Sequence, residues 1–135
     1  MFTHWRAEKE EPLRIFLLIV FGSAGTLARY ALQGLVQVRS GTSFPTGTIT
    51  VNLIGCFLLG GFTEFALHRL SVSPELRIAI SIGFFGAFTT FSTFSWETVQ
   101  MLNDGEWTRA LAYVLVSVVG GLLLAWAGMT VGGRI

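Results

Sequence analysis

The stretch Gly86–Glu97, with the sequence GAFTTFSTFSWE, places polar side chains inside a long apolar segment. Five of its twelve residues carry hydroxyl groups and three are phenylalanines. Lipid offers hydroxyl groups no hydrogen-bond partner, so at membrane depth such a cluster must face protein or water. Phe88, Phe91 and Phe94 recur at every third position, which keeps them near one side of a helix. The stretch therefore predicts a polar surface with aromatic rings in the interior of a membrane protein.

The composition of the whole chain favours an integral membrane protein of one domain. Of its 135 residues 52% are hydrophobic and 13% are charged, whereas soluble domains have roughly 25% charged residues. The net charge of +1 gives no electrostatic footprint for nucleic acid, so we expect no nucleic-acid partner. The single cysteine, Cys56, cannot form an intrachain disulfide. The two histidines lie far apart in the sequence and form no metal-ligand spacing.

Four apolar segments are long enough to span a bilayer as helices, which takes about 20 residues each. The predicted spans are residues 13–33, 46–67, 76–102 and 107–131, and together they form a single transmembrane domain over residues 13–135. Residues 1–12 are polar and of mixed charge, which predicts a juxtamembrane segment, with a cleaved signal peptide as the alternative. Residues 34–45 predict a solvated turn. The predicted fold class is therefore an all-α membrane protein with four transmembrane helices.

Several polar residues inside the spans have both a structural and a functional interpretation. Thr48 and Asn52 lie near one stripe of the second span, and Asn52 either joins two helices by a hydrogen bond or donates its amide to a passing anion. Arg29, near the end of the first span, either extends to the lipid headgroups or forms an anion-attracting vestibule. Tyr113 and Ser117 are spaced i, i+4 in the fourth span and form either helix contacts or a polar track.

The residues favour an anion pore over other classes of function. Catalytic motifs such as G-x-S-x-G, H-E-x-x-H and the P-loop are missing, and no histidine lies near the hydroxyl groups to act as a base, so we expect no enzyme. Hydroxyl groups, an amide and the positive edges of aromatic rings suit an anion. Two alternatives stay open, namely a scaffold or assembly subunit without transport and a small multidrug or cation exporter. Such an exporter needs a carboxylate in its first helix, and residues 15–28 contain none.

Three stretches are similar to motifs of the Fluc (CrcB-type) fluoride channel family. Gly47–Gly55 (GTITVNLIG) resembles that family's second-helix motif, and Gly86–Glu97 looks like its third-helix signature. Gly25–Tyr30 (GTLARY) resembles the end of its first helix. The resemblance extends over residues 13–131. It implies a passive, fluoride-selective channel of the cell inner membrane, which exports cytoplasmic fluoride and relieves fluoride toxicity.

The resemblance also implies an assembly and a set of site residues. Family members are antiparallel, dual-topology homodimers in which the third helix is broken at mid-membrane. Backbone carbonyls at the break, here those of Gly86 and Thr89, would hold a central structural Na⁺ at the dimer interface. The fluoride pathway would contain the pore asparagine, the pair of pore phenylalanines, a nearby hydroxyl, the polar track of the fourth helix, a second-helix threonine and a vestibule arginine. In this sequence these are Asn52, Phe91, Phe94, Thr93, Tyr113, Ser117, Thr48 and Arg29.

Three features of the chain depart from the family pattern. Gly121 occupies the i+4 position after Ser117, where another hydroxyl group is expected. Ala87 stands where a second glycine is common, although its small side chain still permits a break. Positive charges favour an inside N-terminus by six to three, against a dual topology, but the count falls to four to three without residues 1–12.

Overall fold

The computed structural model describes the backbone of residues 2–67 and 72–135 and the side chains of residues 11–67 and 72–135. Over these residues the chain is helical and contains no strand. Four segments are long and apolar enough to cross a membrane: Glu11–Ser40, Thr46–Leu67, Pro74–Asn103 and Trp107–Gly132. The predicted all-α chain with four spans is therefore confirmed. Residues 68–71, between the predicted second and third spans, lie outside the described residues.

The first helix, α1 (Phe2–Ser40), extends past the end of the predicted span. Residues 34–40 are helical, so the prediction of a solvated turn over residues 34–45 was wrong for its first half. The helix stops at Gly41, whose φ of +61° lies in the left-handed region that glycine adopts without a steric penalty. Gly34, in contrast, lies inside the helix, where a Cβ would meet no atom within 4 Å.

One glutamine near the end of α1 holds the connection to the second helix, α2 (Thr46–Leu67). The Gln37 side-chain amide donates to the carbonyl oxygens of Thr42 (2.8 Å) and Phe44 (3.0 Å). Its oxygen accepts from the backbone N–H of Gly47 at 3.1 Å. The loop is thereby fixed on the first turn of α2. This places the Phe44 ring edge-on against Tyr113, with 5.8 Å between the ring centres.

Glycine residues bring α2 and the last helix, α6 (Trp107–Gly132), into backbone contact. A Cβ added to any one of three of them would collide with the backbone of the facing helix. These are Gly60, Gly128 and Gly132, which face Ala125, Phe57 and Gly61. Small residues allow helices in a membrane to pack closely, where dispersion forces replace the missing hydrophobic drive. The two helices therefore form a tightly packed pair along one side of the third span.

The third span changes conformation along its length. A short helix, α3 (Pro74–Ile78), continues as a π-helix over Ala79–Phe85 and then as a single turn, α4 (Gly86–Phe88). Thr89 and Thr90 are extended, with φ and ψ of −88° and 161°, and of −149° and 112°. Helix α5 (Phe91–Asn103) then begins. The backbone groups at this interruption must find other partners, because lipid provides none.

Candidate functional site

Asn52 on α2 holds the interruption in place through both ends of its side-chain amide. The Thr90 N–H donates to Asn52 Oδ1 at 2.7 Å, and Asn52 Nδ2 donates to the Thr90 carbonyl oxygen at 3.0 Å. Gly55 lies one turn further along α2, and a Cβ there would collide with the Thr89 methyl group. Asn52 therefore joins two spans, as its structural interpretation requires. Its second amide proton has no partner among the residues that the structure describes.

Thr90 also caps the helix that follows. Its hydroxyl oxygen accepts from the Thr93 N–H at 3.2 Å and lies 2.8 Å from Thr93 Oγ1, to which it donates. Threonine at an N-cap satisfies one of the N–H groups that have no partner within the helix. The proton of the Thr93 hydroxyl group itself has no acceptor in the described part of the chain.

A cavity of about 240 Å³ lies beside the interruption, and we call it the break cavity. Its wall contains hydroxyl, amide and aromatic groups and, among the residues that the structure describes, no charged side chain. The polar and aromatic residues in this wall are Asn52, Thr89, Thr90, Phe91, Phe94 and Ser117. The Ser117 hydroxyl oxygen is buried and has no hydrogen-bond partner in the structure. Because an unpartnered buried hydroxyl group costs about 1–3 kcal/mol, the cavity suits a ligand that accepts hydrogen bonds.

A second polar group, the Glu97 network, consists of Gln33, Thr48, Glu97 and Tyr113. The Thr48 hydroxyl group donates to Glu97 Oε1 at 2.9 Å, and the Tyr113 hydroxyl group donates to Oε2 at 2.6 Å. Gln33 in turn donates to Thr48 Oγ1 at 3.2 Å. Thr48 is 1% exposed and Tyr113 is 0% exposed. Both buried hydroxyl protons are thus already used by the carboxylate.

A wider cavity of about 460 Å³, which we call the vestibule, reaches this network from outside. Gln33 and Glu97 line it, together with Arg109 at the start of α6. Arg109 forms an ion pair with Glu106 and lies 5.7 Å from the centre of the Phe44 ring. Its positive charge is therefore already balanced by a carboxylate.

The Phe94 ring joins the Glu97 network to the break cavity. Its centre lies 5.0 Å from that of Tyr113 and 5.7 Å from that of Phe91. Phe91 is 78% exposed, whereas Phe94 is partly buried. The protein therefore contains, in this order, the vestibule, the Glu97 network, the Phe94 ring and the break cavity.

The structure brings most of the residues predicted from the sequence to the break cavity or to the Glu97 network. Asn52, Phe91, Phe94, Ser117 and Thr89 line the break cavity. Thr48 and Tyr113 belong to the Glu97 network, and Thr93 lies beside Thr90 at the start of α5. Gly86 is exposed, with open space where a Cβ would lie. Arg29 lines neither the vestibule nor the break cavity.

No role was predicted from the sequence for Glu97 or Gln33, although Glu97 is the last residue of the stretch that carries the hydroxyl groups. A usable signal is its spacing, because it lies three residues after Phe94 and so on the same side of α5.

Comparison with known proteins shows the family of the chain. A family model described as "CrcB-like protein, Camphor Resistance (CrcB)" matches residues 16–129. A protein of Geobacter sp. (strain M21), named fluoride-specific ion channel FluC, is 49% identical over 118 residues, which are 87% of this chain and 95% of that protein. One of Geobacter sulfurreducens with the same name is 50% identical over 115 residues, 85% of this chain and 93% of the relative. The fluoride-specific ion channel FluC 2 of Moorella thermoacetica is 49% identical over 114 residues, 84% and 92% of the two chains.

Proposed function

The chain belongs to the CrcB-like family, and we propose that it is a fluoride-specific ion channel that releases fluoride from the cytoplasm. Relatives 49% and 50% identical over most of the chain are named as such channels. The protein is accordingly a multi-pass membrane channel and not an enzyme.

A passive channel is sufficient to remove fluoride from a cell. Hydrogen fluoride is a weak acid that crosses membranes in its neutral form and ionises at cytoplasmic pH, which traps fluoride inside. The membrane potential then drives the anion out through a pore, with about 2.3 kcal/mol per unit charge for each 100 mV. Neither a nucleotide-binding motif nor a proton-carrying group is required for this process.

The break cavity is the observation that carries the proposal. Fluoride is small and strongly hydrated, so a selective pore must replace its water with hydrogen-bond donors. Asn52 and Ser117 each have an unused proton in the wall of this cavity. Phe91 and Phe94 add ring edges, the positive part of the aromatic quadrupole. Because no charged side chain lines the cavity, the anion is stabilised without being trapped.

Glu97 controls the donors that an anion meets between the vestibule and Phe94. Thr48 and Tyr113 donate to its carboxylate, so they become available to fluoride only when Glu97 releases them. The carboxylate thus occupies the position of an anion in a site built from two buried hydroxyl groups. The vestibule serves as the entrance, whereas Arg29 lies outside it and acts at most from a distance.

A Na⁺ ion bound at the interruption belongs to the same proposal. In a continuous helix the Gly86 and Thr89 carbonyls would accept from the N–H groups of Thr90 and Thr93. These N–H groups donate instead to Asn52 Oδ1 and to Thr90 Oγ1. The two carbonyl oxygens are therefore left for a hard cation, which prefers oxygen ligands, and the residues fit Na⁺. When bound, the ion supplies a fixed positive charge.

The same surface supports an antiparallel homodimer of dual topology. Lipid offers the carbonyls of Gly86 and Thr89 no partner, so this face requires either protein or an ion. Gly86 is exposed with open space beside it, and Phe91 projects as a largely exposed ring. The helical segments Pro74–Phe88 and Phe91–Asn103 have similar lengths, which supports an interruption near mid-membrane. A second copy, inverted about a two-fold axis there, brings four carbonyls together.

Fluoride efflux from liposomes tests the proposed activity. Purified protein is reconstituted in liposomes loaded with fluoride or with chloride, and release is followed with ion-selective electrodes. Rapid loss of fluoride with little loss of chloride is expected. Folded protein that releases neither ion would support the scaffold alternative, and release of an organic cation would support the exporter alternative.

Two further measurements test the ion and the assembly. Melting of the detergent-solubilised protein in Na⁺ and in K⁺ at equal ionic strength should show a higher melting temperature in Na⁺. Light scattering should give the mass of two chains. Equal melting temperatures in both salts would contradict the Na⁺ site. A monomer with full activity would contradict the homodimer.

A further inference from the structure

Cys56 lies in the wall of the break cavity, one turn after Asn52 on α2 and opposite Gly121 on α6. A Cβ built on Gly121 would lie 3.4 Å from the Cys56 sulfur. The sulfur therefore lies beside the space into which a side chain at position 121 would project. Gly121 follows Ser117 at i+4, so both lie on one side of α6, but glycine adds no polar group there. The Cys56 thiol, on α2, lies beside this position and supplies a polar group.

Ser117 provides an independent sign that this part of the cavity receives a ligand. Its hydroxyl oxygen is buried, lines the same cavity and has no hydrogen-bond partner. The Cys56 thiol likewise forms no hydrogen bond within the described parts of the chain. A hydroxyl proton and a thiol proton, the thiol being the weaker donor, are thus both available on one wall.

We infer that Cys56 belongs to the fluoride pathway and that its thiol takes the place of the hydroxyl group missing at Gly121. The inference rests on the proposed channel function. The competing explanation is that the sulfur only fills space between α2 and α6. The two explanations differ in what they require at position 56, because a pathway residue needs a proton to donate and a packing residue needs volume.

A pair of substitutions separates polarity from volume. Cys56→Ser keeps a proton donor in a smaller side chain, and Cys56→Val keeps an apolar side chain of similar size without a donor. Fluoride efflux should be unchanged or faster in Cys56→Ser and slower by about two- to five-fold in Cys56→Val, which corresponds to one net hydrogen bond. Wild-type efflux in Cys56→Val would overturn the inference.

A second pair keeps the test decisive if Cys56→Val fails to fold. Cys56→Ala should slow efflux, and addition of Gly121→Ser should restore it, because the hydroxyl group then comes from α6. The space vacated by the sulfur accommodates the new side chain, which would otherwise lie at ordinary contact distance from it. Unchanged efflux in Cys56→Ala, or no recovery in the double variant, contradicts the inference.

Chemical modification tests access to the same atom, since Cys56 is the only cysteine in the sequence. Its sulfur attacks methyl methanethiosulfonate, methanesulfinate leaves and a mixed disulfide forms, which dithiothreitol reverses. Mass spectrometry should show one thiomethyl group on the folded wild-type protein, with slower efflux that recovers on reduction. Cys56→Ser should not respond. A thiol that stays unmodified, or modification without an effect on efflux, overturns the inference.

The failure of this inference differs from the failure of the channel function. If untreated wild-type liposomes release no fluoride, the proposed function is wrong and the role of Cys56 falls with it. If wild-type release is normal and the Cys56 variants and the reagent leave it unchanged, only the role of Cys56 is wrong.

Discussion

The Glu97 network and the break cavity are built from similar polar groups but leave them in opposite states. In the Glu97 network, the hydroxyl protons of Thr48 and Tyr113 are used by the carboxylate. In the break cavity, Asn52 and Ser117 keep protons without a partner. The first region should therefore contribute mainly to stability and the second mainly to conduction. Substitutions in each region can test this division, because melting and efflux should respond differently.

The largest loss is expected from Phe94→Ile, because this ring contacts both regions. Efflux of fluoride from liposomes should fall to the background of empty liposomes, since the edge of the ring disappears at a junction between the network and the cavity. The apolar volume is largely kept, so assembly measured by size-exclusion chromatography should not change.

The matched control for Phe94→Ile is Phe62→Ile. Phe62 packs against Phe85 and lies outside the break cavity, so efflux should stay within about two-fold of the wild type, as for ordinary apolar exchanges. Phe91→Ile should behave like Phe94→Ile. Normal efflux in both ring variants would show that these rings do not contribute to the fluoride pathway.

Asn52→Leu should lower both the stability of the protein and the efflux of fluoride. It removes two hydrogen bonds to Thr90. Interhelical hydrogen bonds in membranes contribute about 0.6–2 kcal/mol each, so the variant should lose about 1–4 kcal/mol of stability. Efflux should fall by about ten-fold or more, because the interruption loses its support and the cavity loses a donor. Wild-type efflux with lowered melting would leave Asn52 a structural role only.

Tyr113→Phe should lower stability more clearly than conduction. The ring keeps its packing against Phe44 and Phe94, and only the hydrogen bond to Glu97 is lost. Hydrogen bonds to charged groups contribute about 1.5–3 kcal/mol. A clearly lower melting temperature is expected, whereas efflux should slow only slightly. Tyr30→Phe is the control, because Tyr30 is 81% exposed. Equal melting of the Tyr113 and Tyr30 variants would show that the network does not stabilise the fold.

Ser117→Ala should give the smallest change and the cleanest separation. The hydroxyl group has no partner to lose, so the melting temperature should be unchanged or slightly higher. Efflux should slow by about two- to five-fold, since one donor to the anion is missing. Thr130→Ala, on the same helix but bonded to the Trp126 carbonyl oxygen, should leave efflux unchanged. A lower melting temperature in Ser117→Ala would contradict the assignment of this hydroxyl group to conduction.

Local patterns in the sequence were sufficient for the spans and for the residues near the interruption. Apolar length predicted the four spans, and the density of hydroxyl groups after Gly86 marked the segment that faces the protein interior. The spacing of Tyr113 and Ser117 placed them on one side of α6. For Asn52 the sequence left two interpretations, and the structure shows the hydrogen bonds of the first without using the amide completely.

Such patterns could not predict the tertiary contacts or the changes in backbone conformation. Glu97 is joined to Thr48 and Tyr113, which lie 49 and 16 residues away, and no local signal encodes these distances. The sequence predicted the end of α1 near Gly34, but the helix continues to Ser40 and stops at Gly41. The two glycines differ in their backbone φ angle, which the sequence does not reveal. The π-helix over Ala79–Phe85 has the composition of any apolar helix. The roles of the site residues in transport stay predictions.

The π-helix affects which changes in chain length the third span can tolerate during evolution. A π-turn differs from an α-turn by one inserted residue, and such turns often occur at functional sites. Removal of one residue from Ala79–Phe85 would therefore let this turn revert to an ordinary α-turn, and the residues downstream would keep their orientation. A residue removed from an α-helical part of the span has no wide turn to absorb the change and would rotate everything downstream by about 100°. Phe91, Phe94 and Glu97 would then remain in the sequence, yet they would face away from α2 and α6. Lineages of this protein that differ in length in the third span should therefore differ within Ala79–Phe85.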